Sequence, residues 1–215
     1  DLGLDGAEAF TVGAWVRQTD WSWHAGPVLA TPWFFFGVHD DSNVQVRLRL
    51  EDGEPGCTAE WDPIGAPFEA PRPHAPRYGW AYIALSWDGK TLNAYINGLL
   101  SEPVTLADAP TPLESGCSGD STIGYHLEVP DEGGEAVYEG ADAVIRHLSV
   151  WRTALDPDAQ LELAQGHVPE GELLAYWPVD EGSGALARDA SVHGHHGAYL
   201  ETTEWFDGAT VDGLD

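Results

Sequence analysis

The stretch WAYIALSWDGKTLNAYINGLL, residues 80–100, admits few folds. Ala81, Ile83, Leu85 and Trp87 share one face of an extended run, and Leu92, Ala94 and Ile96 repeat that apolar phase after a break. Asp88-Gly89 separates the two runs and Asn97-Gly98 follows them, and both dipeptides suit the positive φ of type I′ hairpin turns. Two antiparallel strands with one shared apolar face need a second layer to bury it against.

The rest of the chain supplies that layer. FTVGAWVRQ (10–18) alternates Phe10, Val12, Ala14 and Val16 against Thr11, Gly13, Trp15 and Arg17. PWFFFGVHD and NVQVRLRLE read as two further strands, the second with Val44, Val46, Leu48 and Leu50 inward and Gln45, Arg47 and Arg49 outward. Between Asp52 and Arg77 proline and glycine accumulate and periodicity is lost, which predicts a long loop region. STIGYHL and ADAVIRHLSVWR read as strands, with Val144, Leu148 and Val150 assigned to the core. One short helix is predicted in LDPDAQLELAQG, with Asp156 as N-cap, Pro157 at its first position, Asp158 in the first turn and Gly166 as stop. GELLAYWPVDEG gives another strand, GSGALARDASVHGHHGAYL an irregular turn region ending in a short strand, and TEWFDG a last extended piece. About a dozen short strands with turn chemistry between them predict an all-β fold, a two-sheet antiparallel jelly-roll sandwich with one short helix. A single domain over residues 1–215 is expected.

Charge narrows the partners. Thirty-six acidic residues stand against nine basic ones, a formal charge of −27 that repels phosphate backbones and disfavours nucleic acid. The acids are dispersed, as on a salt-adapted surface or in a protein that works with divalent cations. No apolar run approaches the roughly 18 residues of a membrane span, so no membrane insertion is expected. The chain opens on Asp1 with no visible signal peptide, which is read as a mature product or an excised piece. Cys57 and Cys117 lie in Gly-rich, loop-like contexts without CxxC spacing. A disulfide between them would imply an oxidising compartment and stabilise by roughly 4 kcal/mol on the chain-entropy account. The alternative is a pair of unpaired loop thiols.

Five motifs recur in a familiar order: FTVGAWVR, WAYIALSWDGKTLNAYINGLL, STIGYH, AVIRHLSVWRTALDPDAQ and GELLAYWPVDEGSGALARDASVHGHHGAYL. Together they resemble the laminin-G-like, pentraxin-like jelly-roll domains of the concanavalin A-like superfamily, in register from about residue 4 to residue 207. The resemblance implies an extracellular bacterial protein, secreted or at the cell surface, a carbohydrate or cell-surface protein as partner, and often a bound Ca²⁺. Asp5, in LDG, and Asp189, in DASVHGHHG, match acids of the family's motifs and are the expected structural calcium ligands. Val192, His193 and His195 replace the family's glycine and asparagine positions, and Gly13 stands where many relatives carry glutamate.

Ten tryptophans frame the binding expectation. Trp15, Trp87, Trp151 and Trp177 fall at strand positions and read as packing residues. Trp21, Trp23, Trp33, Trp61 and Trp80 lie in or beside loops, where an exposed indole can stack on the C–H face of a sugar. In TDWSWHAG, Trp21 and Trp23 share a face if extended, with His24, His39 and Asp40 as polar neighbours. The expected ligand-binding set is Trp21, Trp23, His24, Trp33 and Trp61. His193, His195 and His196 read as a Gly-rich polar turn rather than a zinc site. The Glu-x-Asp-x-Glu strand of the superfamily's hydrolases is missing, as are G-x-S-x-G, HExxH and P-loop motifs. The expectation is a non-catalytic extracellular module that binds carbohydrate with a structural calcium. A protein-binding adhesion or scaffold module and a glycan-active hydrolase or lyase with an unfamiliar acid pair are the alternatives.

Overall fold

The computed structural model describes residues 2–19, 26–38, 44–52, 62–63, 79–101, 103–106, 108–128, 137–141, 143–169 and 171–198. In chain order the elements are β1 (Phe10–Gln18), β2 (Gly26–Ala30), β3 (Phe34–Val38), β4 (Val44–Leu48), β5 (Asp62–Pro63), β6 (Ala81–Trp87), β7 (Thr91–Ile96), β8 (Leu99–Leu100) and β9 (Val104–Thr105). There follow β10 (Thr122–Ile123), β11 (Tyr125–Glu128), β12 (Val137–Gly140), β13 (Ala143–Trp151), α1 (Pro157–Ala164), β14 (Leu173–Trp177), β15 (Leu186–Ala187) and β16 (Gly197–Ala198).

Among the described residues every strand pairing is antiparallel. The larger sheet has seven strands in the order β14-β13-β1-β6-β7-β8, with β9 also on β7, and the smaller has five in the order β10-β2-β3-β4-β5. Phe10, Val12, Ala14 and Val16 of β1, the alternate residues of β6 and β7, and Phe34, Phe36, Val44, Val46 and Leu48 of the smaller sheet form one core. Phe10 stacks on Phe34 across the sheets, ring centroids 4.7 Å apart. This is the two-sheet antiparallel jelly-roll sandwich, with one short helix.

The Asn97-Gly98 turn joins β7 to β8 with both residues at positive φ (52° and 78°), as a type I′ turn requires. At Asp88-Gly89 only Gly89 has positive φ; Asp88 Oδ1 instead accepts from the backbone N–H groups of Lys90 and Thr91, an Asx-type closure. β2 shows no alternation, because all five residues are buried and Gly26 lies against the backbone of Ala141. β5 is a short strand inside the expected loop region, paired with Arg47 and Leu48.

Helix α1 forms as the sequence predicts. Asp156 accepts from the Ala159 N–H at 2.9 Å, Pro157 opens the helix, and Gly166 follows its end at φ 81°. It lies on the outer face of the larger sheet, where Tyr82, Ala84, Tyr95, Trp151, Leu155 and Leu163 make a second, smaller core.

One core assignment is corrected. Val144 is not among the core residues; Ala143 and Ile145 pack there instead. Between β1 and β13 the register runs Gly13 to Ser149 and then Trp15 to Arg146, so β13 carries one extra residue. That β-bulge reverses the inward phase of every residue before it. His147 sits in the bulge at φ 50°.

Candidate functional site

The bulge aims a small site on the outer face of the larger sheet. A cavity of about 80 Å³ is lined by Trp15, Tyr82, His147, Ser149, Trp151 and Tyr176 from the strands, and by Leu163, Gly166, His167 and Val168 from α1 and the turn after it. The first group comes from β1, β6, β13 and β14, which the register lines up side by side. A non-glycine residue at positive φ is uncommon, though histidine is among the types that tolerate it. Here it places the imidazole beside Tyr176, with Nδ1 2.7 Å from the phenol oxygen in a hydrogen bond and the two rings near parallel. Burial, with Asp180 adding to it, pushes the Tyr176 hydroxyl's pKa up, so that residue is a neutral phenol at pH 7. Ser149 donates to the Gly13 carbonyl at 3.3 Å. The Trp15 indole N–H is buried without an acceptor among the described residues.

Gly13 shapes the floor of this site. A Cβ there would lie 2.2 Å from the Tyr82 hydroxyl, which occupies that space and donates to Gln160 Oε1 of α1 at 3.3 Å. The space beside Gly13 is thus taken by a tyrosine that crosses over β1 to reach the helix.

Beside the cavity the same outer face carries two arginines. Trp15 pairs directly with Arg146 and Arg17 with Val144, so both guanidinium groups share the Trp15 face. Arg17 lies over the ring of Trp80, 5.2 Å from its centroid. Strands β1, β6 and β13 hold no aspartate or glutamate.

The expected site residues fare differently. Trp33 is corrected: at 3 % exposure it belongs to the sandwich core, so neither face of its ring is available to a ligand. Trp21, Trp23, His24 and Trp61, with His39 and Asp40, lie outside the described residues, as do Cys57 and TEWFDG. Cys117 is buried and is not a free thiol. Asp5 Oδ1 accepts from the Gly116 N–H at 2.8 Å.

Asp189 does not fit the calcium role. It is 5 % exposed, and its Oδ1 accepts from the Tyr176 and Ser191 N–H groups while Oδ2 accepts from Ser191 Oγ and the His195 N–H. Four donors use the oxygens' lone pairs, leaving none for a cation. Burial alone would raise its pKa, but these bonds outweigh it and hold the carboxyl below its usual range. Among the described residues no three His, Cys, Asp or Glu side chains are grouped to hold a metal ion. His193 and His195 stack on each other, and His196 Nδ1 accepts from the Asp189 N–H at 3.0 Å, so this turn is held by hydrogen bonds.

The sandwich, its antiparallel order and the helix on its outer face define a jelly-roll domain. The sequence profile of Laminin_G_3, in the concanavalin A-like lectin/glucanases superfamily, matches residues 1–159, and the chain belongs to that family. No curated protein sequence matches it. Among solved structures, a candidate carbohydrate-binding protein from Bacteroides ovatus superposes with a TM-score of 0.58 at 16% identity, over 88% of this chain and 51% of that one. This chain thus spans about half the length of that protein. The heptameric SAP-like pentraxin of Limulus polyphemus superposes with a TM-score of 0.52 at 16% identity, over 79% of this chain and 76% of the pentraxin. At these identities the likeness is one of fold. No helix among the described residues is long and apolar enough to cross a membrane.

Proposed function

We propose that the chain is a non-catalytic, extracellular carbohydrate-binding module whose binding face is the outer face around the small cavity between β13, β14 and α1. The observation that carries this reading is the lining itself: the incompletely buried rings of Trp15 and Tyr176 stand beside the polar edges of His147 and His167. Sugars are bound by that combination, with C–H faces on aromatic rings and hydroxyls on a few fixed polar groups. Membership of a lectin and glucanase superfamily and the likeness to a candidate carbohydrate-binding protein support the same reading. The loop residues Trp21, Trp23, His24 and Trp61 remain proposed sugar contacts, and a Cys57–Cys117 disulfide in an oxidising compartment belongs to the proposal. A glycan array tests it. Trp15→Ala should weaken binding of the best glycan by about tenfold, the scale of one aromatic contact. An array without any bound glycan sinks the reading and favours a protein partner.

The high acidity is proposed as salt adaptation. Self-repulsion at a formal charge of −27 destabilises the compact state, so Tm should rise as NaCl increases from about 0.05 M to about 1 M. If calcium binds the folded state at Asp5, CaCl₂ at matched ionic strength should add to Tm, EDTA should reverse it, and Asp5→Asn should abolish it. A Tm indifferent to NaCl would reject salt adaptation.

A further inference from the structure

We propose that the site selects glycans bearing a carboxylate, recognised by Arg17 and Arg146 beside the cavity; this rests on the carbohydrate reading above. Neither guanidinium has a carboxylate partner among the described residues: the Arg17 side chain lies over Trp80, and the Arg146 side chain makes no hydrogen bond or ion pair with them. In a chain with 36 acids and nine bases, two arginines without carboxylate partners on one sheet face stand out. Both are half-buried, so their apolar stems are fixed against the sheet while the N–H forks remain to be satisfied. A guanidinium fork matches a carboxylate in two parallel hydrogen bonds.

Arg17 and Arg146 are diagonal neighbours on paired strands, a backbone relation of about 7–8 Å, so both long side chains rise from one patch of the outer face, from which an acidic sugar residue could be met by one fork or by both. Stacking on Trp80 covers a face of the Arg17 guanidinium and leaves its edge for an in-plane ligand. Trp15, directly opposite Arg146, is the ring wall that the patch shares with the cavity. A sugar seated against Trp15 at the cavity's mouth would therefore direct a ring carboxylate, or that of the next residue, toward the arginines. The surrounding negative field repels long polyanions, so the fitting ligand is a short oligosaccharide or a chain end.

The test uses short oligomers of galacturonate, mannuronate, guluronate and glucuronate, each titrated calorimetrically as the free acid and as its methyl ester, which keeps the backbone and removes the charge. At least one free acid should bind about tenfold or more tighter than its ester. Arg146→Ala and Arg17→Ala should each erase most of that preference and leave ester binding unchanged, and Arg146→Lys should retain part of it. Thermal melts of the variants establish that they are folded. Equal binding of acid and ester, or arginine variants that bind the acid like wild type, would overturn the inference. Binding of neutral glycans on the array without any acid preference defeats this inference alone, whereas an array and a uronate series both without binding defeat the carbohydrate reading with it.

Discussion

Asp189→Ala should destabilise the fold by about 3 kcal/mol, because an ionised carboxylate in hydrogen bonds contributes more than a neutral group and its removal leaves buried N–H donors unmet. The donors it would abandon tie three places together: Tyr176 in β14, Ser191, and His195 near the end of the turn. His195 in turn accepts through its carbonyl from the Trp177 indole N–H at 2.8 Å, so the loss reaches the core. Asp189→Asn should cost less, since the amide oxygen can keep part of the set. The same carboxyl predicts an acid limb. Its folded pKa is lowered, so its contribution is complete above the unfolded value near 3.8 and is lost as pH falls through the lower folded value. Burial also pushes the His195 imidazole down from 6.5, against the opposing charge of Asp189 and with help from neighbouring positive charge. Its neutral form is favoured on folding, so that contribution is complete above about pH 6.5 and fades below it. Urea denaturation of wild type and Asp189→Asn between about pH 7 and pH 3 should show the two curves converging at the acid end. Parallel curves would mean that Asp189 carries none of the acid sensitivity.

The second large effect is expected at Gly13. Alanine there needs its methyl where the Tyr82 hydroxyl stands, with Tyr82 Cζ 2.9 Å and Ala84 Cβ 3.1 Å away. Tyr82 is fully enclosed and fixed by Gln160, so it has nowhere to retreat, and an overpacking cost of about 2–3 kcal/mol follows. Tyr82→Phe alone should cost about 1 kcal/mol for the lost hydrogen bond. In the double variant Gly13→Ala with Tyr82→Phe the worst clash is gone, so its cost should fall clearly below the sum of the two. Strict additivity would show that the methyl and the hydroxyl do not compete for the same space.

These two residues mark the limits of what the sequence discloses. Alternation in β1, β6 and β7 is a local signal, and the inward faces it names are the ones that pack. The N-cap and stop signals of α1 are equally local. The bulge at His147 has no such signature: it depends on how β1 pairs with β13, and one extra residue there moved Val144 out of the core. β2 was unread because a strand buried on both faces does not alternate. The cavity gathers residues from β1, β6, β13, β14 and the turn after α1, positions up to 161 apart that no local window joins. Trp33 follows a proline in a loop-like stretch, which reads as exposed, yet the chain folds it inward against the sandwich. Asp189 carries an acid in a motif expected to bind calcium, but its surroundings make it a clasp for backbone donors.

The family profile stops at residue 159, whereas the sheet does not. β14 lies beyond that limit and hydrogen-bonds along β13, from Leu148 opposite Trp177 to Trp151 opposite Leu173. A polypeptide ended at the profile's boundary would leave the nine-residue β13 as a bare ladder of N–H and C=O groups, long and apolar enough to recruit a strand from another molecule. The five-residue β14 thus replaces the nine-residue β13 as the sheet's edge, and a shorter edge is a poorer template for pairing with another molecule.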